Sequence, residues 1–187
     1  MIVALTGTPG TGKSDVARSL RAKGATVIAL NELAFEKGFI GSYDRRRRTR
    51  EVDIKRLGRC IDRLHPPKGL IFLEGHYSHL LPVGRAIVLR CAPKTLRKRL
   101  SRRGYPRQKI AENCLAEALD AVTIEAVGRL GKARVLEIET TGKIADTVAA
   151  TILRIGRAGF RRAKKYRPGR IDFSDDIIRN PNYYSRT

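Results

Sequence analysis

The octapeptide Gly7-Thr8-Pro9-Gly10-Thr11-Gly12-Lys13-Ser14 has the spacing G-x-x-x-x-G-K-[S/T] and constrains this chain more than any other feature. It follows an apolar run, Ile2 to Thr6, that reads as a buried strand. It opens the segment Ser14 to Lys23, where Val16, Ala17 and Leu20 fall on one helical face and Gly24 ends the helix. Strand, glycine loop and helix in that order make an anion cradle. The glycines let the main chain wrap closely with its N–H groups inward, and the helix turns its positive end to the same charge. Lys13 adds a point charge for the outer phosphates of a nucleoside triphosphate, and Ser14 supplies a hydroxyl for Mg²⁺.

The pattern continues as strands alternating with helices. Apolar runs at Thr26–Leu30, Leu70–Glu74, Ala86–Arg90 and Arg134–Glu139 read as further strands. Helices are expected at 32–37, capped by Asn31, then at 52–64, at 93–102, as one long helix at 107–127, and at 143–156. Gly38 to Arg50 reads as a polar, arginine-rich stretch. Such alternation predicts an α/β fold, a P-loop NTPase core with a five-stranded parallel sheet flanked by helices. Ligands then sit beyond the carboxyl ends of the strands.

A phosphate loop needs a carboxylate on a neighbouring strand to organise the metal. Glu74 ends the third strand and is the candidate; it would act with Ser14 on Mg²⁺. His76 lies in the following turn, where it could orient a water or sense the γ-phosphate, or simply pack the loop. His79 reads more readily as a packing imidazole, and no third ligand makes the two histidines a metal site. Cys60, Cys91 and Cys114 are too far apart for a C-x-x-C pair and read as reduced thiols.

Charge bears on partners rather than fold. Thirty-nine Lys and Arg face eighteen Asp and Glu, a net charge of +21. A nucleotide site needs few of these cations, so a polyanionic partner such as nucleic acid is implied. Arg154, Arg157, Arg161, Arg162, Lys164, Lys165, Arg167 and Arg170 concentrate charge near the C-terminus, with Phe160, Tyr166, Tyr183 and Tyr184 available to stack on bases. A solvated basic tail is the plainer reading. A membrane-surface helix is the rival, but apolar residues are too sparse on any face. No apolar run is long enough to span a bilayer and no signal-peptide pattern opens the chain, so a cytoplasmic location without membrane contact is expected.

The loop sequence, together with Glu74-Gly75-His76-Tyr77-Ser78-His79, Arg102-Arg103-Gly104-Tyr105, Lys109-Ile110, Glu112-Asn113 and Glu117, resembles the atypical adenylate kinases of ribosome biogenesis found in archaea and the eukaryotic nucleus. The resemblance covers roughly residues 1–155 and implies an adenylate kinase that is also an ATPase. It implies action in late maturation of the small ribosomal subunit, with ribosomal RNA and a protein of the subunit platform as partners. ATP would be held by Gly10, Gly12, Lys13, Ser14, Asp15, Arg103 and Lys143. An NMP-binding segment at about 29–52 would take AMP through Asn31, Tyr43, Asp44 and Arg45. A lid at about 102–112 would bring Arg103 to the phosphates, making Lys13, Arg103, Glu74 and His76 the catalytic set. The chain departs from the family where Arg45-Arg46-Arg47-Arg48 replaces an acidic segment; this run could bind AMP, contact rRNA or stay solvated. A basic extension, 156–187, exceeds the family's usual length.

Two other readings stay open. The same core serves nucleoside, shikimate and dephospho-coenzyme A kinases. An RNA or ribosomal-protein chaperone could use ATP only as a conformational ligand.

Overall fold

The computed structural model describes residues 1–44, 49–63, 69–161 and 163–184, with the side chains of 42–50 outside that description. Five strands form one parallel sheet in the order β2-β5-β1-β6-β7: β1 is Ile2–Thr6, β2 Thr26–Ala29, β5 Ile71–Glu74, β6 Arg85–Arg90 and β7 Val135–Glu139. This is the five-stranded α/β core that the alternating pattern predicts. In the sheet β1 lies between β5 and β6, pairing Leu5 with Glu74 on one side and with Ile87 on the other.

Successive strand side chains point to opposite faces, and both faces are covered. Val3, Leu5, Phe72, Ile87, Leu89 and Ile138 pack under α1 (Lys13–Ala22) and α7 (Ala145–Arg157). On the other face Ile71 and Leu73 meet α2 (Leu30–Glu36) and α3 (Ile54–Asp62), while Ala86 and Val88 meet α6 (Ala121–Leu130). Asp53 caps α3 by accepting from the Arg56 amide at 2.9 Å.

Three local expectations change. The stretch after Gly38 forms an antiparallel hairpin of β3 (Ile40–Asp44) and β4 (Thr49–Val52), with Tyr43 opposite Arg50. Asn31 does not cap α2; it lies inside that helix, whose cap position is Ala29. The long helix expected at 107–127 is two helices, α5 (Arg107–Ala118) and α6, broken at Asp120, whose φ is 55°. The cause is a buried guanidinium. Arg90 donates to the Glu117 carbonyl at 2.9 Å, to Glu117 Oε1 at 2.8 Å and to the Asp120 carboxylate. It takes an end carbonyl of α5 out of the helical ladder, and aspartate tolerates the left-handed turn that results.

The basic C-terminal segment continues the packing of the domain. Phe160 and Ala163 are buried in the core under the sheet, with Tyr166 against them. The Gly169 amide donates to Glu137 at 2.8 Å, and the ring of Phe173 lies over Arg90. Near the end, Tyr184 packs against the cluster of Leu96, Leu100 and Ile110, on α4 (Pro93–Arg102) and α5, and its hydroxyl donates to Asp176 of α8 (Asp175–Arg179) at 2.5 Å. The residues bearing the exposed cations Arg154, Arg157, Arg161, Lys164, Lys165, Arg167 and Arg170 are thus anchored by apolar neighbours. Arg162 and the run 45–48 fall outside the described residues. Among those described, no helix is long and apolar enough to cross a membrane.

Candidate active site

The carboxyl ends of β1 and β5 lie side by side, so the loops after them face one another. The loop after β1 is built for a close approach to an anion. Gly7 and Gly10 have φ of 135° and 91°, and an added Cβ would come within 2.4 Å of the Leu89 carbonyl oxygen at Gly7 and 2.8 Å of Leu96 Cδ1 at Gly10. From the end of β7, Thr140 donates its hydroxyl proton to Thr11 O or Arg90 O, each 2.9 Å away, and so ties the loop to the sheet.

Lys13 begins α1 and is buried, its ammonium donating to the carbonyls of Gly7 at 2.7 Å and Thr8 at 3.0 Å. Burial pulls its pKa down to about 8; Glu74 and Glu117 work against that shift and Arg103 adds to it. A buried cation hydrogen-bonded to carbonyl oxygens has much to gain from a phosphate. Ser14 donates to Glu74 Oε1 at 3.1 Å, bringing together the hydroxyl and the carboxylate expected to serve a metal. Two hard oxygens suit Mg²⁺, which keeps several waters and takes its other ligands from substrate phosphates. Among the described residues no cluster of three or more His, Cys, Asp or Glu offers an all-protein metal cage.

His76 follows β5, with its ring edge-on to Tyr77 at 4.8 Å. Burial within the cleft and then the nearby Lys13 push its pKa down to about 4. Part of the residue is open to solvent, which moderates the desolvation, but the cations act in the same direction, so the imidazole is neutral at neutral pH. Tyr77 donates to Asn31 Oδ1 at 2.9 Å; burial, then Glu74, raise its hydroxyl to about 12.

One cleft of about 1690 Å³ brings together Gly10, Gly12, Lys13, Ser14, Glu74 and His76 with Asn31 and Arg103. A side pocket of about 350 Å³ shares Gly10, Gly12 and Arg103 and adds Asp15 and Lys143. Arg103, between α4 and α5, therefore borders both spaces. Tyr43 and Asp44 lie in β3 by their backbone, at the hairpin beside the cleft; their side chains and Arg45 are outside the described residues. His79 is buried away from the cleft, its ring bonded on both sides.

The sequence reading missed three participants. Tyr77 holds Asn31, Thr140 braces the phosphate loop, and Arg99 donates to Gly10 O at 3.3 Å while lining the side pocket. Arg99 carries no sequence signal, since it is one of many cations in α4.

Residues 3–120 match the family described as AAA domain. Over 178 residues the chain is 42% identical to a protein of Methanothermobacter thermautotrophicus, covering 95% of this chain and 99% of that one. Over 175 residues it is 40% identical to a protein of Pyrococcus furiosus, covering 93% and 92%. Both carry the name "Putative adenylate kinase". Shikimate kinase from Acinetobacter baumannii, solved with shikimate, shares the fold at 19% identity, with a TM-score of 0.58 over 86% of this chain and 95% of that one.

Proposed function

The chain belongs to the P-loop kinase family of these archaeal relatives, and on that premise we propose that it is an adenylate kinase, converting ATP and AMP to two ADP. The observation that carries this reading is the single cleft that joins the phosphate loop to Asn31 and the β3–β4 hairpin. Such a cleft has room for a donor and an acceptor nucleotide.

The chemistry asks for position and charge rather than covalent help. The loop amides and Lys13 receive the β- and γ-phosphates; Lys13 exchanges two carbonyl partners for phosphate oxygens. Ser14 and Glu74 would hold Mg²⁺, whose charge offsets that of the phosphates. An AMP phosphate oxygen attacks the γ-phosphorus as the bond to the β–γ bridging oxygen breaks, and ADP leaves. The attacking phosphate is largely dianionic at neutral pH, because its second pKa is about 6, so no general base is required. Arg103 neutralises charge on the transferring group, and closure of the 102–112 segment keeps water out. When AMP is absent, water takes its place and the neutral His76 orients it, giving ATPase activity at the same site.

The test is turnover with Mg²⁺–ATP alone and with AMP, CMP, shikimate or dephospho-coenzyme A. AMP is expected to raise ATP consumption at least about tenfold over hydrolysis, with two ADP formed per ATP. An equal response to another acceptor would overturn the assignment.

We further infer that the chain works on the small ribosomal subunit, meeting ribosomal RNA and a platform protein. The exposed cations of 154–170 support this reading. If the seven described cations each meet a phosphate of single-stranded RNA, log K should fall against log salt with a slope of about −5. A slope near zero would refute an electrostatic RNA surface.

A further inference from the structure

His79 is almost wholly buried, with 2% of its side chain exposed, yet Nε2 lies 2.9 Å from Glu125 Oε2 on the outer side of α6. Its other nitrogen, Nδ1, lies 2.9 Å from Thr6 Oγ1. Thr6 is the last residue of β1, directly before the phosphate loop, and its hydroxyl donates to the backbone carbonyl of His76 at 3.0 Å. An unbroken polar line therefore runs from a half-exposed carboxylate, through a buried imidazole and a hydroxyl, to the loop that carries His76. It crosses the seam between the two loops that face each other over the cleft.

Other contacts make that line consequential. Gly75 donates to Leu5 O at 3.2 Å and sits so close to Leu30 that an added Cβ would lie 3.1 Å from Leu30 Cδ1. Beyond the ladder pairing of Glu74 with Leu5, the 74–77 loop is tied to β1 by the Gly75 bond to Leu5 and the Thr6 bond to His76. The first is a plain sheet-type bond; the second depends on side chains. A hydroxyl has one proton and rotates freely, so Thr6 gives it to His76 O only while the Nδ1–H of His79 donates to Thr6 Oγ1; with Nε2–H donating to the Glu125 carboxylate, the line requires a proton on each ring nitrogen. The imidazole in turn has two ring orientations, and a carboxylate at one nitrogen selects between them.

We propose that Glu125, His79 and Thr6 act as positioning residues that fix the Glu74–His76 loop against the phosphate loop. The inference rests on the kinase reading for its effect on rate but not for the brace itself. None of the three lines the cleft, so none need touch nucleotide. A histidine that merely satisfied the core would instead show its loss in stability alone.

The test compares Glu125→Ala with Glu125→Gln in the full chain. The amide of glutamine keeps an acceptor oxygen for Nε2, whereas alanine removes it. For Glu125→Ala, kcat with ATP and AMP is expected to fall about tenfold while KM for ATP stays within about twofold. Amide hydrogen exchange across residues 74–80 is expected to quicken about tenfold. Glu125→Gln is expected to stay within about twofold of the parent in both. Three results overturn the proposal: kcat in Glu125→Ala within twofold of the parent, kcat and KM shifting together with a fall in Tm, or glutamine damaging turnover as much as alanine. If the parent hydrolyses ATP without responding to AMP, the kinase reading fails and the hydrolysis rate takes the place of kcat. If it turns over neither, exchange across 74–80 alone decides the brace.

Discussion

Replacing Lys13 with alanine is expected to lower kcat/KM for ATP by about a thousandfold, in transfer to AMP and in hydrolysis alike. Both activities share the one phosphate loop, so they must fall together. The ammonium is buried and already desolvated, with its pKa pulled down to about 8 by that burial, and carbonyls of its own loop are its hydrogen-bond acceptors. Its full charge is therefore available to phosphate, without a water shell to strip first. Removing it should leave the fold intact, because the site carries the cost of burying that cation. A Tm within about 3 °C of the parent, beside lost turnover, is the expected pair of results. Turnover within tenfold of the parent would show that the phosphates are bound elsewhere.

Arg90→Ala should unfold the protein rather than silence it, with a loss of about 3–5 kcal/mol and a fall in Tm of roughly 6–20 °C. Arg90 is 1% exposed and joins Glu117, Glu137 at 2.5 Å and Asp120, while Thr123 and the Gly169 amide also donate to Glu137. Burial opposes its charge, but the three carboxylates outweigh it and hold the guanidinium well above its ordinary pKa. Without Arg90, Glu117 and Glu137 remain buried without their cation. A carboxylate buried without a cation costs more charged than protonated, so acidification relieves part of the penalty and rising pH restores it. The deficit of Arg90→Ala relative to the parent should therefore be smaller at pH 5 than at pH 8, as thermal melts at the two values would show. A deficit that grows on acidification would contradict the cluster's role. The segment 169–173 closes over these side chains and should loosen with them.

The same cluster shows why part of the fold was not legible in the sequence. The β1 strand, the glycine loop and α1 declare themselves locally, through an apolar run, obligatory glycines and a helical face. Glu74 could be placed beside Ser14 because adjacent parallel strands end together. The break at Asp120 could not be foreseen, since helix propensity continues through 107–127 and the side chain that interrupts it comes from β6. The hairpin was hidden because arginines and small residues mask its alternation. In the C-terminal segment the few apolar anchors, Phe160, Ala163 and Tyr166, are scattered among cations, so the charge pointed to a polyanionic partner while the packing of these anchors against the core gave no sequence signal. His79 read as a packing imidazole, and it is buried; its partners on α6 and β1 lie far off in sequence. Roles at the cleft depended on knowing which loops converge, which only the topology supplies.

The central claim is that residues 7–14 clasp a nucleoside triphosphate with its metal. Isothermal titration of the folded chain with Mg²⁺–ATP tests it most directly. One nucleotide bound per chain, with the heat lost in Lys13→Ala, is the expected result. Absence of uptake by folded parent protein, or undiminished uptake by Lys13→Ala, would contradict the account.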